Sequence, residues 1–466
     1  MFFPSITEDC ILSSLSSMKS SFVPGPDDIP SCILKMCSIS LSKPLARLFF
    51  ISSETCRFPD IWKESFIIPL FKKGSKSDVS NYRGIAKLSA IPKLFEKIIT
   101  SSLQHLSRST ISPCQHGFMK GRSSLTNLLE LTTLVHHGFR KKCQTDVIYT
   151  DFSKAFDTVD HSLLLAKLNI MGFSPKLLGW LKSYLIGRTQ KVSFRSSISK
   201  TVRVTSGVPQ GSHLGPLLFT LFINDLPLAL AHSRVLMFAD DVKICYSYND
   251  PSFQQYLHSD LDAFCDWCHV NKLHLNASKC SFMTFSRLSP LLAHYSIKSV
   301  LLDCVPSFKD LGVMFDPKLS FNVHISSIVN RASCLLGFIK RWAKEFDDPY
   351  VTKVLYTSLV RPTLEYCSPV WNPQYDVHQR SIESVQKQFL KFALRGLNWD
   401  PGLRLPSYSD RLLLINLPSL YNRRLVFGIL FLHKLVNGEV ISTNLLDTLY
   451  FCVPSRRTRN FFPIHL

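Results

Sequence analysis

No run of apolar residues in this chain approaches the roughly 18 needed to cross a bilayer. Its opening, MFFPSITEDC, lacks the charged start of a signal peptide. The expectation is an intracellular protein with no membrane partner. Acidic residues are scarce too: 34 Asp and Glu stand against 54 Lys and Arg, a formal net charge of +20 with a pI near 9.4. That balance suits a phosphate backbone, with binding that weakens steeply as salt rises. The 14 cysteines lack the dense spacing of a secreted disulfide framework and fit a reducing compartment. One stretch, CDWCH at 265–269, has the spacing of a haem attachment motif. Leu261, Phe264, Cys265 and Cys268 nevertheless share one side of an amphipathic helix, and no second Cys pair accompanies them, so core packing is the better reading. Internal repeats and low-complexity linkers are missing as well.

What is present is a large apolar complement, 45% of 466 residues, enough for two or three packed domains. Within it, VLMFADDVKI (235–244) sets two adjacent aspartates between short apolar runs that read as strands, which puts Asp240 and Asp241 at a hairpin turn. An isolated Asp-Asp pair is most simply a solvated turn. A third carboxylate changes that balance. DVIYTDF (146–152) reads as a strand on which Val147, Tyr149 and Asp151 share a face. Placed beside the hairpin, that strand would gather three carboxylates able to hold two metal ions for in-line phosphoryl displacement. A two-carboxylate glycosidase is the competing enzyme reading, but it requires neither an adjacent Asp pair nor basic phosphate-binding residues.

Between these segments lies SGVPQGSHLGPLLF, 206–219. Gly207, Gly211 and Gly215 permit close backbone approach to a ligand, and Pro209 and Pro216 restrict the loop. Leu217, Leu218, Leu221, Phe222 and Leu226 recur at helical spacing, predicting a helix that buries one side. Gln210 either reads a nucleotide or satisfies a turn. Ser174, Pro175 and Gly187 bracket a predicted helix over 176–186.

These motifs, in this order, resemble the reverse transcriptases of non-LTR (LINE-type, jockey-like) retrotransposons. TDFSKAFDTVDH (150–161) resembles the first catalytic motif, VPQGSHLGP the template and nucleotide loop, and FADD the second catalytic motif. Further matches are GPDDIP (25–30), PLFKKGSKSDVSNYRGIAKLS (69–89), QHGFMKGRSS (115–124) and NKLHLNASKCSFM (271–283). FKDLGVMFD (308–316) resembles the hairpin that grips the primer, and LVRPTLEYCSPVWNP (359–373) the thumb and beyond. The chain departs from the usual pattern at His213, where an aliphatic residue is general, at Gly84 after Arg83, and at Asp28, where glycine or a basic residue is usual.

The resemblance implies an α+β right-hand polymerase. Residues 1–144 would form an N-terminal segment and fingers, 145–320 the palm with an antiparallel sheet flanked by helices, 321–400 a helical thumb, and 401–466 a helical C-terminal extension. It implies two Mg²⁺ ions, with Mn²⁺ as a substitute, held by Asp151, Asp240, Asp241 and the Phe152 carbonyl. Arg83 would grip the incoming triphosphate, assisted by Lys72, Lys73 and Lys87, lysines that equally suit a solvated face. Phe156 would be the steric gate against a ribose 2′-hydroxyl or simply a core Phe. Gln210 would meet the nucleotide, and Lys279 would protonate leaving pyrophosphate. Gly207, Pro209, Gly211 and Gly312 would line template and primer. The implied partners are an RNA template, a DNA primer or target, and deoxynucleoside triphosphates, with nuclear localisation for an active copy. No endonuclease-like region precedes the fingers and no zinc knuckle or RNase H-type set follows, so the expectation is the polymerase portion of a retroelement protein. Two readings stand: an active RNA-directed DNA polymerase, or a catalytically inactive nucleic-acid-binding remnant of a truncated element.

Overall fold

Residues 144–150 are buried at every position, as required of a strand inside a sheet covered on both faces. The computed structural model describes residues 3, 6–343, 345, 348–394, 406–451 and 464–465. In chain order the strands up to residue 320 are β1 Glu64–Phe71, β2 Tyr82–Lys87, β3 Gln144–Thr150, β4 Thr189–Phe194, β5 Ser197–Ile198, β6 Val202–Arg203, β7 Arg234–Phe238, β8 Asp241–Tyr248, β9 Ser281–Phe285, β10 Ser296–Ile297, β11 Val300–Leu301, β12 Asp303–Cys304, β13 Phe308–Asp310 and β14 Val313–Phe315. The central sheet runs β12-β9-β3-β8-β7. Its middle strand β3 is antiparallel to both neighbours, with Ile148 opposite Ile244 and Phe282.

Because side chains alternate across a strand, this register sorts them into two cores. Ile148, Val242, Ile244 and Phe282 join the first, which extends to helices Ala90–Leu106, Pro175–Leu185 and Leu214–Phe222. Val147, Tyr149, Cys245 and Met283 join the second, closed by helices Asn322–Trp342 and Asp376–Ala393. Each fully buried aliphatic or Phe side chain contributes roughly 1.5–3 kcal/mol. A second sheet, ordered β2-β1-β4-β5 with β6 beside β4, holds β1 antiparallel to β2 and parallel to β4.

Local signals fare differently. Helix Pro175–Leu185 matches the predicted span within a residue: the Ser174 hydroxyl accepts from the Leu177 N–H at 3.4 Å, and Gly187 takes φ +79° beyond the end. CDWCH lies on helix Gln254–Val270 with Cys268 buried. The helix after the glycine loop, Leu214–Phe222, corrects the expectation of one buried side, since every residue but Pro216 is buried. Helices His161–Ile170 and Ala90–Leu106 both pack on it, leaving no solvent face. Leu226 falls in a following 3₁₀ turn. Ile382, Val385, Phe389 and Ala393, whose spacing reads as helical with Gly396 as the stop, line the buried side of helix Asp376–Ala393; Gly396 lies outside the described residues. Among the described residues no helix is long and apolar enough to cross a membrane.

Candidate active site

The aspartate pair sits where β7 turns into β8. Phe238 pairs with Asp241 and the turn is Ala239–Asp240. Ala239 is left-handed at φ +55°, a conformation that costs an L-residue roughly 1–2 kcal/mol. Gln115 holds it there: its Oε1 accepts from the N–H groups of Ala239 (3.0 Å) and Gly117 (2.8 Å). A Cβ on Gly117 would collide with the Ala239 nitrogen, so only glycine lets the two segments meet. The His116 N–H donates to the Met237 carbonyl at 2.8 Å, and the Met237 N–H to that of Cys114 at 2.9 Å. This bracket is what sequence reasoning missed. The QHG motif was visible, but its partner at Ala239 is far away along the chain.

Asp151 directly follows β3, whose Thr150 pairs with Val242, so all three carboxylates gather at one end of the sheet. Their electrostatics record the proximity. Burial raises the Asp240 carboxyl, the Asp151 charge raises it further, and Arg83 and Lys72 pull it down. The Asp241 carboxyl is pushed up to about 6 by surrounding protein, then by the charges of Asp240, Asp310 and Asp151, against the pull of Lys243. Two carboxylates about 4 Å apart repel by roughly 4 kcal/mol at a near-surface dielectric. Asp151 relieves part of this through Lys279, whose Nζ lies 3.4 Å from its Oδ2. Among the described residues no three His, Cys, Asp or Glu side chains are drawn into ready-made metal-binding geometry. The donor set itself, hard carboxylate oxygens gathered at one strand end, is of the type that a divalent cation such as Mg²⁺ takes. The Asn276 N–H donates to the Asp151 carbonyl (2.8 Å) and the Ser153 N–H to the His274 carbonyl (2.7 Å), flanking a Phe152–Leu275 bridge. In such a pair the Phe152 amide and carbonyl point away from the partner segment.

The glycine loop is clamped between the second sheet and the segment after Asp151. The Gln210 carbonyl accepts from the Ala86 N–H at 2.6 Å, and the Gly207 N–H donates to the Val159 carbonyl at 2.8 Å. A Cβ on Gly207 would stand 2.6 Å from the Asp157 carbonyl oxygen, and one on Gly211, at φ +125°, would overlap the Ala86 carbonyl. These glycines therefore admit the chain's own backbone, whereas the sequence suggested approach to a ligand. Gln210 Nε2 donates to Asp157 Oδ1 at 3.2 Å, and the Val208 N–H to the Phe156 carbonyl at 2.8 Å. Phe156 is half-buried, stacked on Phe219 with centroids 4.4 Å apart and edge-on to Phe118. Behind the loop a cavity of about 330 Å³ is lined by Lys154, Asp157, Arg188, Arg203, Ser206 and Gln210 among others. It adjoins the carboxylate site without containing it. Gly312, at φ +93°, turns the β13–β14 hairpin against the Tyr366 ring. Lys73 and Lys87 are, respectively, exposed and half-buried on the β1–β2 hairpin region. His213 begins helix Leu214–Phe222 on the exposed side, its N–H donating to the buried Glu96 at 2.9 Å.

Residues 71–319 match the family model described as reverse transcriptase (RNA-dependent DNA polymerase), just over half of the chain. The probable RNA-directed DNA polymerase from transposon BS of Drosophila melanogaster is 28% identical over 428 residues, covering 86% of this chain and 47% of that protein. The RNA-directed DNA polymerase from mobile element jockey of the same species is 27% identical over 446 residues, covering 90% and 48%. Its Drosophila funebris counterpart is 26% identical over 438 residues, covering 87% and 46%. The chain thus spans about half the length of these relatives. With its motifs in family order and its aspartates brought to one end of the central sheet, the chain belongs to the reverse transcriptase family, in the LINE-type, non-LTR retrotransposon branch.

Proposed function

We propose that this chain is an RNA-directed DNA polymerase that extends a DNA primer 3′ end on an RNA template, using deoxynucleoside triphosphates. One observation carries the reading: Asp151, Asp240 and Asp241 gather at one end of the central sheet, within electrostatic reach of Arg83 and Lys72. Residues 1–144 then serve as N-terminal segment and fingers, 145–320 as palm, 321–400 as thumb and 401–466 as C-terminal extension. Asp151, Asp240, Asp241 and the Phe152 carbonyl would hold two Mg²⁺ ions, or Mn²⁺ in their place. When bound, such ions stabilise the attacking and leaving oxygens of an in-line displacement.

The chain's own groups supply the rest. Arg83 offers a planar guanidinium suited to bidentate phosphate contact, and Lys72 adds charge on the same side. Gln210, oriented by Asp157, faces the nucleotide. Phe156, braced by Phe219, narrows the space beside the sugar. Lys279 is a proton donor for leaving pyrophosphate, a role worth about 10²–10⁴-fold. Gly207, Pro209 and Gly211 shape the loop along which template passes, and Gly312 turns the hairpin on the primer side. An active copy would work in the nucleus. The test is extension of a 5′-labelled DNA primer annealed to RNA, with Mg²⁺ and all four deoxynucleotides. Extension is expected; binding of primer–template without extension would identify an inactive nucleic-acid-binding remnant. Phe156→Val should admit ribonucleotides, and unchanged sugar discrimination would count against the gate.

A further inference from the structure

Lys243 is a charged residue in a place where charge is costly. It lies on β8, two residues beyond Asp241, and is 1% exposed. Its ammonium donates to Asp310 on β13 and to Asn127 on helix Ser124–Arg140, both buried in turn. The Asn127 amide donates onward to the Met237 carbonyl of β7 at 3.2 Å. One amino group therefore ties the aspartate hairpin, the β13–β14 hairpin and a long helix into a single junction. A second tie runs beside it. Phe308 of β13 stacks on Tyr149 of β3 with ring centroids 3.8 Å apart and planes 17° off parallel. Tyr149 and Lys243 are direct cross-strand partners. Tyr149 stands two residues before Asp151 and Lys243 two after Asp241, so anchors and carboxylates share one sheet face about 7 Å apart along the strands.

The β13–β14 hairpin is thereby docked on the carboxylate-bearing face, one same-face step along β3 and β8 from Asp151 and Asp241. We propose that Lys243 is a positioning residue that, through Asp310 and Asn127, fixes the 308–315 hairpin against the carboxylate hairpin and so sets where a primer 3′ end rests relative to Asp151, Asp240 and Asp241. This rests on the polymerase reading above. A buried ion pair suits the task because it demands one geometry, and losing either partner strands the other. No direct contact of the junction is with Arg83, Gln210 or Phe156, although the charges of Asp310 and Lys243 act on the Asp241 carboxyl from beside it.

Steady-state extension measured against primer–template and deoxynucleotide concentrations separately tests this. Lys243→Met strands a buried carboxylate and endangers folding. Asp310→Asn keeps the shape and an acceptor for Lys243, and is the informative variant. Expected is a rise of about tenfold in KM for primer–template, with KM for deoxynucleotide within about twofold of wild type. Unchanged KM values alongside a lowered melting temperature, or both KM values rising together, would reduce Lys243 to a structural residue and overturn the inference. Anisotropy with a fluorescein-labelled DNA primer on RNA, comparing a recessed 3′ end with a blunt duplex, separates this from failure of the polymerase reading. A wild type that prefers recessed ends without extending them, with Asp310→Asn losing the preference, would sink the activity and keep the positioning role. A wild type with no such preference would overturn the positioning role.

Discussion

On one face of the central sheet Ile148, Val242, Ile244 and Phe282 meet an apolar layer; on the other, Val147, Cys245 and Met283 meet a second one, interrupted by Lys243 and ending at Asp241 and, just past β3, Asp151. The dry face is satisfied by the chain alone. The charged face is satisfied at Lys243, which Asp310 and Asn127 neutralise and hydrogen-bond, and unsatisfied at its end, where Asp240 and Asp241 are both held above the ordinary carboxylate range. One strand thus carries, within three residues, a buried charge that is paired and an exposed carboxylate that is not. The inner one is closed by protein groups, and the outer one is open to solvent.

The largest expected effect on this contrast comes from the open end. Asp240→Asn should lower primer extension by about a thousandfold or more while leaving the melting temperature equal or higher, because it removes a repelling charge and no packing. Extension assays beside thermal unfolding check both halves. Next is the loop that frames the site. Gly211→Ala must displace the Ala86 carbonyl and strain a φ of +125°, and should cost about a hundredfold in kcat/KM for deoxynucleotide through misplacement of Gln210. The dry face answers differently. Ile148→Ala should cost about 2–5 kcal/mol of stability by denaturant titration, with kcat per folded molecule unchanged.

The smallest effect is on pH. Asp241 titrates in the folded state at about 6, above its ordinary value, so its contribution to stability is fully present below pH 4 and lost as pH rises through 6. Without metal, Asp241→Asn should melt higher than wild type at pH 8, and the gap should close by pH 4. Metal affinity runs the opposite way, weakening as pH falls through about 6, since the ligand is the carboxylate. A gap independent of pH would mean that Asp241 carries no shifted charge.

How much of this was legible follows from the distance over which each cause acts. The β3 strand and the aspartate hairpin could be read because period-two alternation and a turn are local. The glycines at 207 and 211 were visible as turn formers. Their reason was not, because Asp157 and Ala86 press on them from distant segments. Helix Leu214–Phe222 was read as one-sided since periodicity counts a helix's own residues and not the helices that cover its outer face. Lys243 drew no reading of its own, since a lysine two residues past the aspartate pair carries no local sign of burial. What buries it is Asp310, Asn127 and helices beyond residue 321, which no local window contains. Gln115 escaped for the same reason.

The account turns on cation capture by the open end of the charged face. Its most direct test is Mn²⁺ binding, followed by electron paramagnetic resonance, to the chain carrying primer–template with a dideoxy-terminated primer and the next deoxynucleotide. The account predicts about two bound Mn²⁺ per wild-type molecule, fewer in Asp240→Asn, and binding that weakens below pH 6. Equal Mn²⁺ binding by wild type and Asp240→Asn would contradict it.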